Sequence, residues 1–209
     1  MTYLVNEIFY SIQGEGAHAG RPAVFVRFAR CNLWTGREAD RATAICQFCD
    51  TTFTEVAYRF GDPRDLVEIV TDHLPDGAWD HRTPMVVLTG GEPTLQVDAA
   101  LVSELLAAPL YVAIETNGTR AVPFWLHWIC VSPKAGAPLQ QRHGDELKLV
   151  YPQPGLNPAD LEHLNFDRFS LSPMDGPDLA ANTRAAYDYA LAHPRWNLST
   201  QTHKTIGVR

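Results

Sequence analysis

Three of the four cysteines fall between residues 30 and 51, in RCNLWTGREADRATAICQFCDT. Cys31, Cys46 and Cys49 have the spacing C-x14-C-x2-C. A CxxC pair lets two thiolates of one tight loop reach a common metal. Three chemistries suit the group. The cysteines can be small buried hydrophobes. They can hold a structural zinc, with Cys130 or a histidine as fourth ligand. Or they can bind an iron–sulfur cluster through three thiolates, leaving one iron open for a substrate or cofactor to chelate. Cys130 lies in the apolar run WLHWICV and reads as core, and the second CxxC of a zinc ribbon is absent.

A second signal, LTGGEPTLQ at 88–96, follows an apolar run and opens a helical pattern. Strand-end glycines let a ligand approach the backbone closely. The amides there suit a carboxylate and Glu92 suits an ammonium, a pair matched to the amino-acid end of a small molecule. With a three-cysteine loop one strand and helix earlier, this favours the cluster over zinc.

The elements that must position these groups alternate between β-rich and helical. Strands are expected at 22–29 (PAVFVRFA), at PMVVLTGG, LYVAIETNG, LHWICVSPK and DELKLVY, and in DRFSLSPMDG and WNLSTQTHK. Helices are expected in GDPRDLVEIVTDHL, LQVDAALVSELLAA and DLAANTRAAYDYALAHP, with a short one at NPADLEHL. In the first, Asp62 reads as N-cap and Pro63 as the first helical residue, with Leu66, Ile69, Val70 and Leu74 on one face. Repeated βα units imply an α/β fold with a parallel sheet. The polar motifs RCNL, TGGEPT, ETNGT, SPK, SPMDG and THK each end a strand, the face that carries chemistry in a β/α barrel. Eight full units take about 250 residues, so a partial, open parallel barrel of about six strands is expected.

The 209 residues suit one domain, 1–209, with a loop insertion at 32–45. A net charge of −7 without a basic tract argues against a nucleic-acid partner. No apolar run approaches the roughly 20 residues of a membrane helix. MTYLVNEIFYSIQGEG lacks the plan of a signal peptide, so no membrane association and a cytoplasmic location are expected. In a reducing compartment, metal or redox chemistry is the better expectation for these thiols than disulfides.

EIFYSIQGEG, GRPAVFVRFARCNLW, the CDT after the cysteines, TGGEP and the closing QTHKTIGVR together resemble the 7-carboxy-7-deazaguanine synthase family of radical S-adenosylmethionine enzymes, across nearly the whole chain. Most of that superfamily has C-x3-C-x2-C; here the insertion lengthens the first gap, at little closure entropy. The resemblance implies a [4Fe–4S] cluster on Cys31, Cys46 and Cys49, with S-adenosylmethionine on the fourth iron and Mg²⁺ at Thr51. It implies cofactor contacts from Phe48, Gly91, Glu92, Ser132, Pro133, Lys134, Pro173, Met174 and Asp175. Substrate contacts fall to Ile12, Gln13, Gly14, Glu15, Arg27, Gly90, Glu115, Asn117, His203 and Arg209. The implied reaction takes 6-carboxy-5,6,7,8-tetrahydropterin to 7-carboxy-7-deazaguanine, by hydrogen abstraction at C6, ring contraction and loss of ammonia. A flavodoxin-type electron donor and a homodimer are implied partners. An activase acting on a protein glycine and a non-catalytic zinc module are the alternatives.

Overall fold

The computed structural model describes residues 2–79, 82–123 and 125–209. Its strands are β1 (Tyr3–Ile12), β2 (Pro22–Phe28), β3 (Tyr58–Phe60), β4 (Met85–Gly90), β5 (Tyr111–Thr116), β6 (Trp128–Val131), β7 (His143–Tyr151), β8 (Asn165–Pro173) and β9 (Trp196–Leu198). Four α-helices accompany them: α1 (Pro63–Asp72), α2 (Ala99–Ala107), α3 (Leu179–Ala192) and α4 (Thr202–Ile206). All nine strands form one sheet in the order β3-β1-β2-β4-β5-β6-β7-β8-β9. From β2 to β9 every pairing is parallel; β1 runs antiparallel to both β2 and β3.

The expected count of about six strands falls short of nine. In β1, YLVNEIFYSI, the register shifts between Val5 and Glu7, which breaks the two-residue alternation a strand is read from. β3 has three residues, too few to carry a pattern. THK, expected at the C-terminal end of the strand WNLSTQTHK, instead opens α4, because β9 stops at Leu198; Gly207 ends α4 in the left-handed region at φ 72°. NPADLEHL forms a 3₁₀ turn at Pro158–Leu161.

The expected α1 is present. The Asp62 carboxylate accepts from the Arg64 amide at 2.9 Å, Pro63 opens the helix, and Leu66 and Val70 are fully buried. Ile69 and Leu74 pack on the same core from its margin. The main core lies between the sheet and its helices and includes Val24, Val26, Val86, Leu88, Val112, Ile114, Leu147 and Leu171. A smaller one, with Phe9, Phe25, Val87 and Ala113, draws on alternate positions of the same strands. The sheet is therefore buried on both sides, as parallel sheets are.

The sheet curls. Seven strand intervals of about 4.8 Å separate β1 from β9, roughly 34 Å if flat. Gly16, four residues past β1, donates its amide to the Ser199 hydroxyl just past β9 at 2.7 Å. Four extended residues reach only about 14 Å, so the two ends must come round toward each other. That is the open barrel.

Candidate active site

The concave side holds a cavity of about 550 Å³. The loops after β2, β4, β5, β6, β8 and β9 all contribute to its wall, as the motif positions imply.

The cysteine loop forms one side. The Leu33 carbonyl accepts amides from both Ile45 (3.1 Å) and Cys46 (3.3 Å), so the insertion closes on itself and its two ends meet. Arg41 clasps it: the guanidinium lies 4.1 Å over the Trp34 ring and donates to the carbonyls of Gln47 (2.8 Å) and Cys49 (3.1 Å). Trp34 packs edge-on against the buried Phe53. The fourteen residues between Cys31 and Cys46 thus leave all three cysteines on one cavity wall.

All four cysteines are free thiols. Burial raises the Cys31 thiol. A shared hydrogen bond raises Cys46 and brings Cys49 down to about 6 against its burial. The half-buried Lys134 ammonium lies toward Cys46 and Cys49, and donates to the Ser132 hydroxyl and carbonyl at 2.7 Å each. Among the described residues, no three Cys, His, Asp or Glu side chains stand close enough to hold a single ion. Cys130 is 1 % exposed in β6 and absent from the cavity wall.

TGGEP rides directly on the start of the cysteine loop. Gly90 has φ 130°, and a Cβ there would meet the Phe28 carbonyl oxygen at 2.2 Å; one on Gly91 would meet that of Arg30 at 2.0 Å. These glycines admit another strand's backbone, as well as facing the cavity. Arg30 itself takes φ 75°, a conformation that costs a side-chain-bearing residue about 1–3 kcal/mol. Glu92, expected to accept a ligand ammonium, does not line the cavity. Its carboxylate is fully buried and accepts from the Thr94 amide and hydroxyl, the Thr116 hydroxyl and the Asn117 amide. Three of those bonds fall on Oε1 and one, from the Asn117 amide, on Oε2; together they weld the β4 loop to the β5 loop. Neither Glu92 nor Pro133 nor Met174 lines the cavity. Phe48, Thr51, Gly91, Ser132, Lys134, Pro173 and Asp175 do, as do Ile12, Gln13, Gly14, Glu15, Arg27, Gly90, Glu115, Asn117, His203 and Arg209.

The floor is built from charge. Lys148 on β7 is 6 % exposed and pairs with Glu15 at 2.7 Å and Glu115 at 2.9 Å. Burial opposes its charge, but the two carboxylates outweigh it and hold the ammonium well above its ordinary range. Burial pushes Glu15 up, and Lys148 and Gln201 more than reverse that, so Glu15 ionises below the usual value. In Glu115 burial prevails over Lys148 and the carboxyl is raised. Gln13 donates to Glu115 at 3.2 Å. Gly14 has no room for a side chain, since a Cβ would lie 1.8 Å from His203 Nδ1.

Arg27 donates through Nε to Glu7 at 2.7 Å, and Arg209 reaches the other Glu7 oxygen at 3.3 Å. Asn117 donates to Asn32 of the cysteine loop at 3.0 Å and accepts from Thr119. The C-terminal segment is latched by Lys204, which bridges Asp50 and Asp175 at 2.5 Å each. Sequence reasoning missed Glu7, Lys148, Gln201 and Lys204. Lys148 stands between Leu147 and Leu149, the signal of a polar side chain aimed into an enclosed space, whereas Glu7 follows Asn6 at the β1 register shift and carried no such signal. Gln201 and Lys204 carried none beyond their place beside THK.

The donor set fits an iron–sulfur cluster: three thiols on one wall, with a cation beside two of them. No protein-family model matches the chain. A 7-carboxy-7-deazaguanine synthase of Bradyrhizobium diazoefficiens is 54 % identical over 210 residues, covering all of both chains. One of Burkholderia multivorans is 53 % identical over 212 residues, again covering both completely. The crystal structure of QueE from Escherichia coli superposes with a TM-score of 0.72 at 26 % identity, over 97 % of this chain and 95 % of that one. Full-length identity at this level, on a matching fold, makes this chain a member of the 7-carboxy-7-deazaguanine synthase family.

Proposed function

We propose that this chain is a radical S-adenosylmethionine enzyme that converts 6-carboxy-5,6,7,8-tetrahydropterin into 7-carboxy-7-deazaguanine, in queuosine and deazapurine biosynthesis. One observation carries the reading: a single cavity has three cysteines on one wall and the Glu15–Lys148–Glu115 cluster on its floor.

In this reading Cys31, Cys46 and Cys49 hold the [4Fe–4S] cluster. The Gly91 backbone, Phe48, Ser132, Lys134, Pro173 and Asp175 surround S-adenosylmethionine, with Pro133 and Met174 setting the loops. Together the two cofactors supply a carbon-centred oxidant for the hydrogen at C6. The protein's own groups bind and orient. Glu15, kept ionised by Lys148, accepts from the pterin's N–H groups. Gln13, Gly14, Ile12 and Gly90 close around the ring, with Asn117 and His203 at its margin. Arg27 has its Nε on Glu7, which leaves the Nη side of the fork for the substrate carboxylate, with Arg209 beside it. Thr51 offers a hydroxyl oxygen to Mg²⁺, a cation that prefers oxygen ligands shared with a carboxylate. Glu115, which holds its proton to higher pH than an ordinary carboxyl, is placed to exchange one as ammonia leaves.

The unit is a single domain, 1–209, with the cluster loop enlarged at 32–45. A flavodoxin-type protein is the proposed electron donor, and the working form is a cytoplasmic homodimer. Among the described residues no helix is long and apolar enough to cross a membrane.

Anaerobic incubation of the reconstituted protein with dithionite, S-adenosylmethionine, Mg²⁺ and the carboxytetrahydropterin tests the reading, with deazaguanine formation as the expected result. Cofactor cleavage without that product would refute the substrate. A colourless protein holding zinc would refute the chemistry.

A further inference from the structure

The turn after β1 carries Glu15 and crosses the seam of the open barrel. Sheet pairing ends at β9, and the turn reaches from β1 to the segment just beyond that edge. The Gly16 amide donates to the Ser199 hydroxyl at 2.7 Å, and the Gly14 carbonyl accepts the Thr202 amide at 2.9 Å. A third attachment comes from β7. Glu146 accepts the Ala17 amide on Oε2 at 3.0 Å and the Ser170 hydroxyl on Oε1 at 2.5 Å. Gly16 is fitted over the same carboxylate: it takes φ 67°, and a Cβ there would lie 2.6 Å from Glu146 Oε2.

Glu146 is a costly residue to keep in that place. It is 2 % exposed. Among the described residues no lysine, arginine or histidine forms an ion pair with it, and Lys148, two positions along β7, is taken by Glu15 and Glu115. A buried carboxylate without a cation is tolerated only where hydrogen bonds hold it. An apolar side chain would fill the strand position without that penalty, but it would release the Ala17 amide. Glu146 is absent from the cavity wall, so it acts through the turn and not on a ligand. β7 thus grips the turn twice from one face, at positions about 6.6 Å apart. Lys148 takes the Glu15 side chain, and Glu146 takes the backbone two residues later. An ammonium on a flexible stem keeps Glu15 charged but does not aim it; the backbone must do that. We propose that Glu146 is a positioning residue: by holding the Ala17 amide it fixes the turn, and so aims the Glu15 carboxylate at the paired N–H donors of the ring edge. This rests on the pterin reading of the site.

The test uses reconstituted protein as wild type, Glu146→Ala and Glu146→Gln. Gln can offer its oxygen to the Ala17 amide and its nitrogen to the Ser170 oxygen, so it keeps the hold without the charge. Equilibrium dialysis measures 6-carboxypterin and its 2-deamino analogue on each, with visible absorbance reporting cluster loading and denaturant titration reporting stability. Wild type should prefer the amino compound. Glu146→Ala should lose about tenfold of that preference, the worth of one net hydrogen bond, and its KM for the carboxytetrahydropterin should rise with it. Glu146→Gln should keep the preference nearly whole. Equal losses for both ligands, a lowered unfolding midpoint with the preference intact, or a glutamine variant as impaired as the alanine one would each overturn the assignment and leave the pterin reading standing. Should wild type neither bind 6-carboxypterin nor convert the carboxytetrahydropterin, both would fall. If Glu146→Ala does not fold, Ser170→Ala decides in its place. It removes one of the two donors that hold the carboxylate, so the preference should weaken severalfold, and an unchanged preference would overturn the assignment.

Discussion

The two sides of the cavity are built differently. The cysteine wall is loop, held by backbone hydrogen bonds, one cation–π contact and the Arg41 clasp. The floor is largely strand: Lys148 and Glu115 project from β7 and β5, two paired strands apart, and meet Glu15 as an ion triad whose cation is buried and whose carboxylates are half-buried. A wall that must receive an inorganic cluster needs thiols that can adjust. A floor that, in the proposed function, discriminates one ring edge needs acceptors fixed before the ligand arrives, because ordering them on binding would cost affinity. The cysteine side should therefore fail by losing its metal and the floor by losing stability.

The largest expected effect is Cys49→Ala. Two remaining thiols should not retain the cluster, so iron content and visible absorbance should fall to background while the far-UV spectrum is unchanged. Retained iron would break the comparison.

Lys148→Met should come next, and on the opposite property. It strands Glu15 and Glu115 without their cation, and removing one partner of a buried pair costs about 3–5 kcal/mol; the low end is expected because Glu115 readily takes up a proton. Denaturant titration measures it. The pH dependence has a definite sign. In wild type the depressed Glu15 value contributes stability that is lost as pH falls through it. Without Lys148 burial raises both carboxyls, so their contribution is lost as pH rises. The variant should thus lose stability from about pH 5 to 8 more steeply than wild type.

Arg41→Ala should be milder and confined to the cysteine side. It removes two charge-assisted bonds to loop carbonyls, about 1–2 kcal/mol of local order. Iron loading should drop several-fold while the unfolding midpoint scarcely moves. A large midpoint shift would show that the loop is part of the global fold.

The smallest effect concerns the latch. Lys204 holds Asp50 and Asp175 below the ordinary carboxylate value; in Asp50 it does so against burial. That contribution is present above the unfolded value of about 3.9 and lost as pH falls through the lower folded ones. The groups are about a third exposed, so solvent limits it to roughly 0.5 kcal/mol. Hydrogen exchange in α4 should quicken below about pH 4, while the core strands stay protected.

Much of this was legible before any coordinates. The C-x14-C-x2-C spacing, TGGEP, and the motifs ending each parallel strand placed the cavity wall, because thiol chemistry and strand-end loops are local properties of sequence. α1 was legible from Asp62, Pro63 and its apolar face. Misread features had local causes too: the bulge in β1 hid a strand, and α4 was too short to show a period. Glu92 was read as a ligand group because its chemistry suits an ammonium; that it also ties the β4 loop to the β5 loop was not legible, because its donors Thr116 and Asn117 lie more than twenty residues away.

The sequence alone determined the α/β class, the thiols and the strand-end loops, since each depends on residues within a few positions of one another. Tertiary structure alone decided that Leu33 and Arg41 would close the long insertion, that Lys148 would find Glu15 133 residues before it, and that Gln201 would bridge Glu15 and Asp50. Those outcomes depend on the curl of the sheet, which brings β1 near β9, and no local stretch of sequence encodes that distance.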